Sequence, residues 1–295
     1  MGNSYHPAET QDHLLESRLV AQTYRITVLV PMRRGDGSER FPVIYATDRD
    51  DLWGGLATIA NSVQLLGEAP RFILVGIGYE PAGAAAVLRW RDFGTHDIRA
   101  RFEKELRQVA DSPLVTGLAD FDLVTRTTDA NDFLRFIREE LQPFINHRYP
   151  TLPDDSNYFG YSAGGTFGLH VLFTQPHVFK RYILGSPGTS YCGDQFALEL
   201  VERFRKTGAS LQAKLFMSVG ELEEFNRGLG QFDLVSGFIA LAKCLQSKPL
   251  PGLDLTLRMF PQETHATAWA PAFSHGLRAL LGSVDQVPYW PDYFK

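Results

Sequence analysis

Residues 160–165 read Gly-Tyr-Ser-Ala-Gly-Gly, which contains the pattern G-x-S-x-G, a serine between two positions that carry almost no side chain. A serine set on a sharp strand-to-helix turn can attack an acyl carbonyl, provided that a base takes its proton. The flanking sequence suits such a turn, because the apolar run at 157–161 (NYFGY) precedes Ser162 and a glycine-eased helical run follows it. To lift Oγ above the sheet the turn must hold Ser162 in a strained backbone state, so the residues two before and two after it must be nearly bare. Gly160 and Gly164 meet that demand. The backbone N–H of Ala163, at the start of the helix, then points to where charge develops on a substrate oxygen. The same residues could form a glycine-rich turn with an idle serine, but the strand before and the helix after favour the nucleophile. A phosphate loop is excluded, since neither G-x-x-x-x-G-K-[ST] nor G-x-G-x-x-G occurs here.

On a turn of this kind the acid and then the base follow the serine along the chain. Four histidines lie beyond Ser162: His170, His177, His265 and His275. His170 and His177 sit too close along the chain to fold back over Oγ, and His275 falls inside an apparent helix. His265 follows the apolar run at 253–260 through the polar turn Pro261-Gln262-Glu263-Thr264, where a loop-borne base hangs over the carboxyl edge of a sheet. The acid should end the preceding strand, 214–219, which runs into Gly220-Glu221-Leu222-Glu223-Glu224. Its task is to accept a hydrogen bond from the histidine Nδ1 and stabilise the imidazolium, so reach and orientation choose among the glutamates. Glu223 is favoured, with Glu224 next and Glu221 assigned to the turn itself.

The elements that must hold these residues follow from hydrophobic periodicity. Residues 24–31 and 41–47 read as strands, with the turn-rich 34–39 (RGDGSE) between them predicting a hairpin. Residues 56–66 have helical spacing, and 71–78 (RFILVGIG) reads as a strand buried on both faces. Phe133, Leu134, Phe136, Ile137, Leu141, Phe144 and Ile145 form an amphipathic stripe, capped by Asp129 or Asn131 and kinked near Pro143. Four short apolar runs, 157–161, 181–186, 214–219 and 253–260, alternate with stretches long enough for helices, which implies a mostly parallel central sheet with helices on both faces. The chain divides into a polar N-terminal extension at 1–20, one α/β domain at 21–285 with an inserted segment of loops and short helices around 81–129, and a tail at 286–295.

A formal net charge of −5 over 295 residues gives no basic surface for nucleic acid. Residues 1–19 are polar and no apolar run of 18 residues follows, so the reading is a cytoplasmic protein with no membrane partner. Cys192 and Cys244 have no C-x-x-C spacing, and no H-E-x-x-H or cysteine–histidine cluster calls for a metal. No cofactor is expected, and the partner is a small-molecule ester. The oligomeric state stays open.

Residues 157–190 (NYFGYSAGGTFGLHVLFTQPHVFKRYILGSPGTS), 133–149 (FLRFIREELQPFINHRY) and 45–48 resemble the esterase D and enterobactin-esterase group of α/β-hydrolases. The resemblance implies the α/β-hydrolase fold and a serine carboxylic-ester hydrolase with the triad Ser162, His265 and Glu223, acting on small or medium esters of siderophore-like or aryl-acyl type. Acyl transfer or thioester hydrolysis would use the same residues, and a non-catalytic binding module would have lost at least one of them. A second oxyanion donor is implied in the stretch Tyr45-Ala46-Thr47-Asp48-Arg49-Asp50, where Asp48 matches the family pattern, Arg49 replaces its glycine and Asp50 takes the position whose N–H donates. Arg91-Asp92 resembles an R-D pair of the family, although the T-P that follows in many members is absent. By the same resemblance Arg89 and Arg91 are substrate-binding candidates. Trp90, which with Arg91 and Phe93 makes an aromatic and cationic set suited to a flat or anionic acyl group, and Tyr161 beside the nucleophile are further candidates.

Overall fold

The computed structural model describes residues 5–6, 8–34, 38–81, 83, 85–94, 128–190, 195–225, 229 and 232–282. Eight strands form its main sheet: β1 (Glu9–Ser17), β2 (Gln22–Val30), β3 (Phe41–Ala46), β4 (Ile73–Tyr79), β5 (Thr151–Tyr161), β6 (Arg181–Gly185), β7 (Ala213–Gly220) and β8 (Leu253–Phe260). Their spatial order is β8-β7-β6-β5-β3-β4-β2-β1. The strands from β8 through β4 run parallel, and β2 and β1 are added antiparallel at one end.

Two early expectations are corrected. The strands β2 and β3 do not form a hairpin; β4 lies between them and pairs with both. Its seven residues, ILVGIGY, are all buried, and a strand without a polar face is satisfied only in the interior of a sheet. The residues read as a polar extension contribute β1, which forms the first hairpin with β2. Its polar residues escape the usual strand signal because β1 is an edge, with most of its side chains exposed.

Helices α1 (Arg49–Leu65), α2 (Ala85–Phe93), α3 (Ala130–Phe136), α4 (Gln142–Arg148), α5 (Ala163–Thr174), α6 (Phe196–Thr207), α7 (Leu234–Ser247) and α8 (Trp269–Leu280) surround the sheet. Leu56 and Ala60 of α1 pack with Phe273 and Leu277 of α8 on one face. Phe133, Phe167 and Leu241, from α3, α5 and α7, pack on the other. The predicted amphipathic helix is α3 and α4 joined through a wide π turn at Ile137–Leu141. Pro143 has no N–H for the preceding turn, and the chain loosens just ahead of it. Asp129 is the cap, accepting the Asn131 N–H in a capping box with Asp132. Of the inserted segment, α2 is described, while 95–127, Cys192 and the tail lie outside the described residues. Among the described residues no helix is long and apolar enough to cross a membrane, and no cluster of three His, Cys, Asp or Glu could hold a metal ion.

Candidate active site

β5 ends at Tyr161 and α5 begins at Ala163, so Ser162 alone turns the chain. Its φ of 56° and ψ of −121° are sparsely populated for a side-chain-bearing residue and cost about 1–3 kcal/mol. The Ser162 N–H donates to the Gly185 carbonyl at 2.9 Å, and its own carbonyl accepts from Thr166 N at 3.0 Å. These bonds over-determine the turn. The glycines are required by close approach: a Cβ on Gly160 would lie 2.2 Å from the Gly164 carbonyl oxygen, and one on Gly164 2.3 Å from Thr47 Oγ1.

His265 arrives on the turn after β8. Its Nε2 lies 3.0 Å from Ser162 Oγ, and its Nδ1 lies 2.7 Å from Glu223 Oε2. Glu223 sits on a single 3-10 turn, Glu223–Phe225, directly after β7 and is fully buried. Its other oxygen accepts from the Gly220 N–H at 2.6 Å and from Ser186 Oγ at 2.5 Å. A buried carboxylate is tolerable only when its acceptor sites are filled, and three donors meet this one. The neighbouring glutamates are occupied elsewhere. Glu221 accepts from Gln262 N at 3.0 Å, tying the turn after β8 to the turn after β7, and Glu224 accepts from Ser236 N in the first turn of α7.

Tyr161, expected at the substrate, instead supports the histidine loop. Its hydroxyl donates to the His265 carbonyl at 2.7 Å and its ring packs 5.0 Å from the imidazole, while the residue is buried outside the cavity. Burial raises its hydroxyl far above the ordinary phenol range, so it stays a donor. His170 Nε2 donates to Asn131 Oδ1 at 2.9 Å, and burial lowers its pKa. His275 packs on Phe260.

Ser162, Ala163 and His265 open onto a cavity of about 270 Å³. Its far wall is mostly apolar, formed by Phe93, Phe196, Leu229 and by Trp90 stacked on Phe232 with ring centroids 6.2 Å apart. Phe196, Leu229 and Phe232 carry no motif, and the sequence reading missed them; only a fold brings them to Ser162. Arg89 also lines the cavity, with Nε donating to Asp48 Oδ1 at 2.8 Å. Burial pushes the Asp48 carboxyl above the ordinary carboxylate range, against the pull of Arg89.

Arg91 does not reach the cavity. It is fully buried, pairs with Asp92 at 2.6 Å, and shares Tyr24 Oη with it. Residues two apart on a helix point about 200° apart, so Arg89 facing the cavity sends Arg91 into the core. The expected substrate contact is therefore a structural ion pair. Asp50 lies in the first turn of α1, outside the cavity lining, and its carboxylate accepts the Tyr79 N–H at 2.9 Å. Asp48, just before it, adopts the left-handed conformation that lets α1 start there.

Residues 115–226 match the Esterase family model. The chain is 28% identical over 235 residues to the ferri-bacillibactin esterase BesA of Bacillus subtilis, covering 76% of this chain and 74% of that one. It is 29% identical over 230 residues to the siderophore triacetylfusarinine C esterase of Aspergillus fumigatus, covering 74% and 69%. Among solved structures, the BES protein from Bacillus cereus superposes with a TM-score of 0.71 at 24% identity, covering 95% of both chains; this likeness speaks to the fold. The sheet order and the elbow are those of an α/β-hydrolase-type fold. With this fold, the chain is similar to the siderophore esterases over about three quarters of its length and to the Esterase family over residues 115–226, and these likenesses support a carboxylic-ester hydrolase.

Proposed function

We propose that this hydrolase cleaves small or medium esters of aryl-acyl or siderophore-like type through an acyl-enzyme on Ser162. The observation that carries the reading is the continuous hydrogen-bond path from Ser162 Oγ through both nitrogens of His265 to the buried Glu223 carboxylate. His265 Nε2 removes the Oγ proton as Oγ attacks the ester carbonyl, and Glu223 holds Nδ1–H and stabilises the imidazolium. The N–H of Ala163, which opens onto the cavity, receives the oxyanion, and the family resemblance assigns the Asp50 N–H as the second donor. Collapse of the tetrahedral intermediate expels the alcohol, which takes its proton from His265. Water, deprotonated by the same nitrogen, then attacks the acyl carbon and releases the acid and free Ser162. No metal or cofactor enters these steps.

The substrate reading rests on the cavity and on the relatives. A largely apolar aromatic slot favours a flat acyl group, and Arg89 at its wall favours phenolate or carboxylate oxygens. The relatives that span most of the chain are named for siderophore esters. A cavity of this size accepts one acyl arm, leaving the rest of a larger ester at the mouth.

The test is fluorophosphonate labelling of the wild type and of Ser162→Ala, followed by kcat/KM over p-nitrophenyl acetate and butyrate, a feruloyl ester, a catecholate trilactone and S-formylglutathione. Labelling that depends on Ser162, with the aryl-acyl esters preferred, is the expected result. Labelling that survives Ser162→Ala overturns the nucleophile, and turnover of the thioester alone overturns the substrate class.

A further inference from the structure

β8 closes the sheet at the end opposite β1. Its inner edge pairs with β7 over the whole strand, and among the described residues no strand pairs with its outer edge. The strand, LDLTLRMF, has no proline or lysine, and its two charges, Asp254 and Arg258, are of opposite sign. Leu253, Leu255 and Leu257 are only half covered, and Met259 is 40% exposed. Beside them runs a groove of about 560 Å³ between β8 and the end of α7, lined also by Leu245, Pro249 and Leu250. A long apolar edge of this kind is a template for a further strand.

The residues of β8 also specify which strand fits. In an antiparallel pair, directly opposed residues share a face of the sheet, so a two-fold axis must pass through a residue of β8. With the axis at Thr256, Asp254 faces the partner's Arg258 and Arg258 faces the partner's Asp254, while Leu255 faces the partner's Leu257 and Leu253 the partner's Met259. Moving the register by two residues sets Asp254 against threonine or phenylalanine and breaks both charge pairs. Asp254 and Arg258 are both exposed and free to turn outward. Among the described residues Asp254 pairs with Lys214 at 3.7 Å, both side chains exposed, a contact that holds it weakly. The same axis keeps the two α7 helices on one face of the joined sheet, so each apolar groove lies against the other copy.

We infer that β8 is a self-association edge, at which two copies of this chain join antiparallel about Thr256 into one continuous sheet. Nothing in this pairing involves Ser162, His265 or Glu223. The test uses the full chain in analytical ultracentrifugation over a dilution series, with Asp254→Arg, Arg258→Asp and the double exchange. The wild type should sediment as a dimer. Each single variant sets like charges opposite each other twice and should weaken the dimer by about tenfold or more, and the double variant should restore it. Rescue by the double exchange separates pairing from any loss of fold, which circular dichroism melts also monitor. Hydrogen exchange supplies the second readout: the amides of 253–260 should gain protection as the concentration rises. A wild type that is monomeric at every concentration, a dimer indifferent to both single changes, or protection of 253–260 that does not depend on concentration would each overturn the inference, the last by showing that the chain covers its own edge.

Discussion

Replacing Glu223 by Gln isolates the role of one oxygen. The side chain keeps its size, and its remaining oxygen can still accept from Gly220 N and Ser186 Oγ, now at 2.6 and 2.5 Å. The amide group then faces His265 Nδ1, which sits 2.7 Å from Oε2. Because the amide donates, it forces Nδ1 to accept and moves the imidazole proton to Nε2, the nitrogen 3.0 Å from Ser162 Oγ. In that tautomer Nε2 cannot take the serine proton, and no negative charge remains to stabilise the imidazolium. The expected loss in kcat is about ten-thousandfold, or about 5.4 kcal/mol of transition-state stabilisation. Stability should fall by no more than about 1–2 kcal/mol, since each polar atom retains a partner. The assay is steady-state hydrolysis of p-nitrophenyl butyrate with circular dichroism melts on the same samples. Glu221→Gln and Glu224→Gln serve as controls, because each of those carboxylates holds a turn rather than the histidine. A loss of less than tenfold for Glu223→Gln, or a larger loss for either control, would refute the argument.

Other outcomes follow from packing and charge. Arg91→Met should destabilise the fold by about 3–5 kcal/mol in urea titrations, because it leaves Asp92 buried without its cation. Gly164→Ala places a Cβ 2.3 Å from Thr47 Oγ1, and the forced shift at the elbow should lower the melting temperature and cost about 1–3 kcal/mol. Trp90→Ala opens the stacked wall and should lower kcat/KM for a feruloyl ester by about tenfold while leaving an acetyl ester nearly unchanged. Desolvation lowers the His170 pKa, against the pull of Asp129. The unfolded chain therefore takes a proton that the folded chain refuses, so this contribution to stability is complete above about pH 6.5 and is lost as the pH falls through that value. The melting temperature of His170→Gln should drop less steeply over that range than that of the wild type.

Much of the site is legible in the sequence because it depends on local constraints. Gly160 is dictated by the Gly164 carbonyl approaching within a single turn, and Gly164 by Thr47 at the end of β3, so the elbow announces itself in five consecutive residues although one of its glycines answers to a tertiary contact. His265 is reached by elimination along the chain, since His170 and His177 lie too close to the elbow to fold back over Ser162 and His275 falls inside a helix. The parallel sheet is readable from apolar runs separated by helix-length segments. Pairing and facing belong to the tertiary structure. β1 and β2 show that strand neighbours are chosen by which faces need cover, so a good turn sequence between β2 and β3 does not make them partners. Three glutamates stand within four residues, and only the 3-10 turn after β7 decides that Glu223 points inward while Glu221 and Glu224 fasten other loops. Arg89 and Arg91 are chemically identical and two positions apart. The helix sends one to the cavity and the other to Asp92 in the core, because its rotation per residue, together with the packing of α2 on the sheet, sets direction, and residue type does not.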